Sequence, residues 1–250
     1  MASVTLPLER ATQKTPGESY AKKRDALEHY FDRTAADAWR ALTSDEKVSR
    51  IRATVRAGRE DMRRRIMARL GENLSGRHLL DAGCGTGALS LEAARRGGTV
   101  TAIDVSPTMV DIARERAGDG EAEDVAAAVT FRAGDMVNEA KGPFDHVVAM
   151  DSLIHYELSD ILSALTTWAP LVTRSIVFTF APRTPALTLK HAVGALFPRG
   201  QRAPEIAPVG ERKLRNALGA EPDLKSFALA HTERVSSGFY TSQLVELSRR

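Results

Sequence analysis

Two rhythms of apolar positions run along the chain. From Ser19 onward, Leu27, Tyr30, Phe31, Thr34, Ala35, Ala38, Trp39 and Leu42 fall at steps of three and four, which predicts an amphipathic helix. TSDE, residues 43–46, reads as a capping box, because the Thr43 hydroxyl and the Glu46 carboxylate can each satisfy a backbone N–H left unpaired at a helix start. The helix it opens carries Val48, Ile51, Val55, Met62, Ile66 and Leu70 on one side and a row of arginines on the other. Short apolar runs then take over. Strands are expected in RHLLDAG (77–83), TVTAIDVS (99–106), AAVTFRAGD (127–135), FDHVVAMDS (144–152) and RSIVFTFAP (174–182). Helices are expected between them: TGALSLEAARRG (86–97), closed by Gly97; TMVDIARERA (108–117), opened by Ser106 as N-cap and Pro107 at the first position; and LSDILSALTTWA (158–169). Such alternation implies a parallel sheet with right-handed crossovers, an α/β doubly wound architecture.

After Pro182 the rhythm lapses into what reads as two helices around a Pro/Gly-broken loop. Residues 225–250 then read as two long strands joined at Ser236, Ser237 and Gly238, an antiparallel hairpin that finishes the sheet. The expected organisation is an extension over 1–18 that frays and one domain over 19–250. Within it, 19–72 are lid helices, 77–182 the ligand-binding core, 183–222 a helical insertion acting as lid, and 223–250 the hairpin.

At 250 residues with 43% hydrophobic content, the chain can bury a core of its own. Its one cysteine, Cys84, excludes an internal disulfide and a Cys-based zinc site, so a cytoplasmic location is expected. No apolar run approaches the roughly 20 residues that span a bilayer, and the first residues lack the apolar segment of a secretory signal. The net charge of +3 is concentrated between Lys47 and Arg69, where Arg50, Arg52, Arg56, Arg59, Arg63, Arg64 and Arg65 face only Glu60 and Asp61 within the stretch. Nucleic acid, an anionic membrane or a small polyanion would suit such a row, and so would plain solvent.

The chemistry centres on LLDAGCGTGALS, residues 79–90. A strand, a turn with Gly83, Gly85 and Gly87, and a helix form a dinucleotide-type turn, where glycine admits the backbone angles and a close ligand. Asp81 before it disfavours a phosphate and would attract an ammonium or sulfonium. Asp104, about 20 residues on, has the spacing of a carboxylate that takes ribose hydroxyls. Asp135 is offered to an adenine amino group. The ligand expected is an adenosine with a cationic tail and no phosphate.

In order and spacing, LLDAGCGTG, AIDVS, AGDM and FDHVVAMDS resemble the class I S-adenosylmethionine (SAM)-dependent methyltransferases, over roughly residues 77–182. The resemblance implies a Rossmann-like sheet, mostly parallel with one antiparallel strand. It implies that Gly83, Gly85 and Gly87 lie beneath the methionine part and ribose, and that Asp81 sits near the ammonium. Asp104 would take the ribose, Val105 the adenine face, Asp135 and Met136 the adenine, and Met150 would line the pocket through its backbone. Cys84 would fill the turn as a small residue rather than act as a nucleophile.

The segment after the fourth strand, AMDSLIHY, lacks the Asn/Asp-Pro-Pro-aromatic signature of base-nitrogen methylation. With no aromatic-rich basic face either, nucleic acid is not an expected partner. LEHYFDRTAADAWRALTSDEKVSRIRATVRAGRE and VAMDSLIHY, with FTFAPRT and LFPRGQRAP, resemble the magnesium-protoporphyrin IX O-methyltransferase family of chlorophyll and bacteriochlorophyll synthesis. That resemblance runs from about Leu27 onward. It implies as acceptor a porphyrin propionate of intrinsic pKa about 4.5, close to that of Glu. A flat apolar macrocycle with two anionic arms calls for an apolar slot rimmed by cations, and Tyr30, Phe31 and Trp39 with Arg52, Arg56 and Arg59 are the candidates.

His155 and Tyr30 are the expected catalytic pair. His155 would orient the propionate, take its proton, or contact the substrate magnesium axially. Tyr30 would hold the other carboxylate oxygen or close the lid. Purely structural roles stay open for both, as do packing and helix capping for Asp151, a candidate acid near the donor and a candidate substrate-binding residue. His29 is expected to face out, and Arg63, Arg64 and Arg65 to be solvated. Leu187, Leu189, Val193, Leu196 and Phe197 beside Lys190, Arg199 and Arg202 suit either an interfacial helix or a lid over the slot. Peripheral contact with the inner, photosynthetic membrane and substrate delivery by the magnesium chelatase large subunit are what the family suggests. The alternatives in function are methylation of another hydrophobic carboxylate or phenol, and a SAM-binding regulatory protein without turnover.

Overall fold

The computed structural model describes residues 17–33, 50–183 and 205–250. Among these residues, the helices α1 (Glu18–Arg33) and α2 (Arg50–Leu70) precede the first strand. The alternating core follows: β1 (His78–Ala82), α3 (Ala88–Arg95), β2 (Thr99–Asp104), α4 (Pro107–Gly120), α5 (Glu123–Ala127), β3 (Val129–Ala133), β4 (Phe144–Ala149), α6 (Leu158–Trp168) and β5 (Val172–Phe180). Helix α7 (Glu211–Ala220) and the strands β6 (Phe227–Ser237) and β7 (Tyr240–Arg249) close the chain. The seven strands form one sheet in the order β3-β2-β1-β4-β5-β7-β6. Strand β7 runs antiparallel to both of its neighbours, so it alone is reversed within the sheet.

Alternation along the strands builds two apolar faces. Leu80, Val147 and Ile176 join Leu27 of α1, Ile161, Leu165 and Trp168 of α6 and Leu214 of α7 on one side. Leu79, Val148 and Val177, their next-door neighbours, join Met62, Ile66 and Met67 of α2, Leu89 of α3 and Val110 of α4 on the other. The short capping signals act as read: the Ser106 hydroxyl accepts from Met109 N–H at 3.2 Å, with Pro107 in the first turn. Helix α5 went unforeseen, because the polar stretch from Gly118 to Asp124 offers no apolar periodicity to read. Thr34 to Val48, including the capping box, and residues 184–204, including the interfacial segment, lie outside the described residues. Among the described residues, no helix is long and apolar enough to cross a membrane.

The order of the parallel strands reverses direction between β1 and β4. In open α/β sheets, ligands bind outside the carboxyl ends of the strands at such a switch point. Gly83, Asp104 and Met150 stand at or just past the ends of β1, β2 and β4.

Candidate active site

A cavity opens at that switch point, lined by Gly83, Gly85, Asp104, Val105, Asp135, Met136 and Met150 at one end. Tyr20, Arg24, Leu27, Phe31, Arg59, Asp151, Ser152, His155 and Tyr156 complete its wall. The three glycines of the turn are needed for three different reasons. All have positive φ: 84° at Gly83, 55° at Gly85 and 78° at Gly87. A Cβ on Gly83 would fall 2.3 Å from Cβ of Ser152, whereas a Cβ on Gly85 would meet nothing within 4 Å. On Gly87 it would press at 3.0 Å on Phe131 and 3.1 Å on Ala113, so that glycine serves the packing of α3 and not the cavity wall. The N–H groups of Gly83 and Cys84 both donate to the Ile103 carbonyl, at 2.8 and 3.1 Å, which pins the turn to β2.

Asp104 fits a diol. One carboxylate oxygen accepts from Gly85 N–H at 2.8 Å and the other from Ser106 N–H at 3.0 Å. Each oxygen therefore keeps acceptor capacity for one hydroxyl. Burial raises the pKa of Asp104, and the two backbone hydrogen bonds oppose that rise.

Asp135 also lines the cavity, but its carboxylate is already engaged. Tyr20 Oη donates to it at 2.8 Å, Arg24 Nη1 at 3.0 Å, Val137 N–H at 2.9 Å and Asn138 Nδ2 at 2.8 Å. An adenine amino group would have to share or displace one of these donors. Helix α1 supplies two of them, and Tyr20 also stacks on Tyr156 at 4.8 Å between ring centroids.

Besides Gly87, two expected members of the donor site stand back from the wall. Asp81 was expected to present a negative charge to an ammonium. It is instead 2% exposed beneath the turn, accepting from the Ser90 hydroxyl at 2.6 Å, and burial pushes its acid up to about 7. Cys84 is buried inside the turn, and burial raises its thiol well above the usual range, as suits a small filler.

At the other end of the cavity a 3-10 turn, Leu153–His155, follows β4 and delivers His155. Its Nδ1 lies 3.1 Å from the Glu205 carbonyl oxygen. A carbonyl can only accept, so Nδ1 carries the proton and Nε2 keeps a lone pair. Burial holds the imidazole below its usual pKa. The Phe31 ring meets it edge-on at 6.3 Å. Tyr30, the other expected catalytic residue, is half-buried against Phe31 at 5.2 Å but does not line the cavity. Adjacent helical residues point about 100° apart, so one of the two must turn away from His155. Among the described residues, no group of His, Cys, Asp or Glu is placed to hold a metal ion.

The arginine row needs correction. Within its own stretch it faces only Glu60 and Asp61, but the fold brings further carboxylates to it. Arg63 pairs with Glu60 and with Glu92 of α3 at 2.9 Å, Arg64 and Arg65 with Asp61, Arg65 also with Glu233 of β6, and Arg69 with Glu246 of β7 at 2.6 Å. Arg56 does not line the cavity. Trp39 and the side chain of Arg52 lie outside the described residues.

The profile of the magnesium-protoporphyrin IX methyltransferase C-terminus matches residues 149–249, and that of a methyltransferase domain matches 79–174. The magnesium-protoporphyrin O-methyltransferase of Rhodobacter capsulatus is 45% identical over 228 residues, covering 91% of this chain and 97% of that protein. This chain belongs to the magnesium-protoporphyrin O-methyltransferase family. A member from Synechocystis is 32% identical over 225 residues, 88% of this chain and 94% of its own. The crystal structure of magnesium protoporphyrin IX methyltransferase from Synechocystis with bound SAH superposes with a TM-score of 0.79 at 30% identity, covering 91% of this chain and all of that one.

Within this member of the magnesium-protoporphyrin O-methyltransferase family, the wall residues that sequence reading passed over are Tyr20, Arg24, Leu27, Ser152 and Tyr156. Arg59 was singled out only as one of several arginines. Four of these six sit on the N-terminal helices, and which face of such a helix meets the cavity is decided by tertiary packing. Ser152 carried a signal that could have been used. Its hydroxyl donates to the Ala82 carbonyl at 2.8 Å, and a small residue is what must oppose Gly83 across the turn.

Proposed function

We propose that this chain transfers a methyl group from SAM to a propionate carboxylate of magnesium-protoporphyrin IX, forming the monomethyl ester on the route to (bacterio)chlorophyll. The observation that carries the reading is one continuous cavity joining Asp104, which suits a ribose, to His155, which suits an acid. The 45% identity to a magnesium-protoporphyrin O-methyltransferase supports the porphyrin as acceptor. Gly83, Gly85, Asp104, Val105, Met136 and Met150 are the residues that would hold the donor. SAM, when bound, supplies a methyl group made electrophilic by its sulfonium.

The chain's own work is to deliver an ionised oxygen in a dry, fixed geometry. A propionic acid with a pKa of about 4.5 in water is pushed up by apolar surroundings and would enter the slot partly protonated. His155 is neutral, and its tautomer leaves Nε2 as the acceptor for that proton. Phe31 and Leu27 keep water from the same end of the cavity. Tyr30, one residue before Phe31 on α1, supports that ring by its edge-on contact at 5.2 Å, and its own reach to the second carboxylate oxygen would need α1 to turn.

Incubating the purified chain with SAM and magnesium-protoporphyrin IX should give one equivalent each of monomethyl ester and S-adenosylhomocysteine, separable by chromatography. Tight S-adenosylhomocysteine binding with no ester formed would refute the acceptor. We also propose that the protein is cytoplasmic and touches the inner, photosynthetic membrane peripherally, receiving its porphyrin from the magnesium chelatase large subunit. The support is a poorly soluble substrate and the basic, leucine-rich sequence between Leu187 and Arg202. Vesicle flotation and co-purification with that subunit test the two contacts.

A further inference from the structure

Arg63, Arg64, Arg65 and Arg69 of α2 meet carboxylates away from the cavity, whereas Arg59 meets one inside it. Its Nη1 lies 3.3 Å from Oδ2 of Asp151, whose side chain is 3% exposed. Asp151 has a φ of 55°, a left-handed conformation that a residue other than glycine rarely adopts. Tyr240 Oη donates to both of its oxygens, at 3.0 and 3.1 Å, while Ser242 Oγ and Thr179 Oγ1 each donate to Oδ1 at 3.2 Å. Thr179 Oγ1 in turn accepts from Asp151 N–H at 2.8 Å. Four hydrogen bonds from side chains and a strained backbone thus fix this buried carboxyl group in one orientation. Gly58 lets α2 come close enough to use it, since a Cβ there would lie 2.4 Å from the Tyr240 ring.

A guanidinium carries five N–H groups in a planar fork that matches a carboxylate, and Asp151 holds this one at its Nη1. Arg24, the other guanidinium on the wall, is held at the donor end by Asp135 and Asp25. We propose that Arg59 binds the propionate that is not methylated, and that Asp151 is the positioning residue that aims it. This rests on the porphyrin reading above. The non-reacting arm is assigned because a guanidinium on the attacking carboxylate would draw charge from the oxygen that must react. The enzyme would then read both acid arms of its substrate, one at His155 and one at Arg59.

The test compares magnesium-protoporphyrin IX with its two monomethyl esters, of which the one matching the enzyme's product is inert and the other keeps the reactive arm free. For the wild-type protein, the reactive half-ester should show a KM at least about tenfold above that of the diacid, the scale of a lost charge-assisted hydrogen-bond pair. Arg59→Gln should raise the diacid KM by a similar factor and the half-ester KM less than about threefold. S-adenosylhomocysteine affinity should stay within about threefold. Arg59→Lys, which keeps the charge without the fork, should fall between, and Asp151→Asn should follow Arg59→Gln more weakly. Equal losses on both porphyrins, or an unchanged diacid KM, would overturn the assignment. If Arg59→Gln fails to fold, Arg59→Lys decides by the same comparison. Absorbance titration of both porphyrins without SAM separates the two readings: Arg59-dependent preference for the diacid with no ester formed would sink the reaction and leave the Arg59 site standing.

Discussion

One hydrogen bond, from His155 Nδ1 to the Glu205 carbonyl, settles which nitrogen of the imidazole can act on an acid. Because burial lowers the His155 pKa beneath its ordinary 6.5, the neutral, proton-accepting form prevails at pH 7. Activity should therefore fall only as pH drops through a midpoint below 6.5. In a kcat/KM profile, His155→Gln should lose about 100-fold or more and abolish that acidic limb. Asp104 acts differently, since a ribose clamp works in the ground state. Asp104→Ala should weaken S-adenosylhomocysteine binding about 10- to 100-fold by calorimetry, while kcat at saturating SAM changes far less. Asp104 was legible in the sequence because the interval from a glycine turn to the next strand end is set by one helix and two short loops. Asp81 was read as a strand-end acid facing the ligand and not as buried under the turn, since a hydrogen bond to Ser90 is invisible in spacing alone. Tyr20 and Arg24 were illegible for a deeper reason, namely that their partner Asp135 is more than a hundred residues away.

Helix α2 shows how far a helical pattern can be taken. Its apolar side, with Met62, Ile66 and Leu70, packs on the sheet as the periodicity requires. Its polar side looked like one basic surface, because the carboxylates that meet it come from α3, β6 and β7. The seam between α2 and the hairpin depends on glycine at two of its contacts. Gly58 accommodates the Tyr240 ring, and at Gly238, in the β6–β7 turn, a Cβ would lie 2.5 Å from Thr54. In an exposed helix Gly→Ala stabilises by about 0.8–1 kcal/mol. At Gly58 the sign should reverse, because a methyl group against Tyr240 overpacks the seam at a cost of about 1–3 kcal/mol. Urea unfolding of Gly58→Ala should show that loss, accompanied by a porphyrin KM raised more than the SAM KM as Arg59 is pushed from Asp151.

Across the whole molecule, the sheet was the most legible feature, because β1, β2, β4 and β5, largely buried on both faces, must read as short apolar runs. The reversed strand followed from the terminal hairpin. What stayed hidden is that Tyr20, Arg24 and Leu27 are the α1 side chains that reach the cavity with Phe31. Helices at the start of the chain and residues after β4 enclose that one cavity together, as the lid reading expected. A ligand that touches both should stabilise the fold as a unit. At 100 times its Kd, S-adenosylhomocysteine should add about 2.7 kcal/mol, which for a chain of this size raises Tm by about 5–10 °C. A thermal shift titration checks this, and Asp104→Ala should need far more ligand for the same rise. The buried sulfhydryl of Cys84 has a practical corollary. With its thiolate suppressed and no other cysteine in the chain, the native protein should be nearly inert to maleimides. A single cysteine engineered at Phe239, which is 53% exposed on the hairpin tip, would then carry a fluorophore without background labelling.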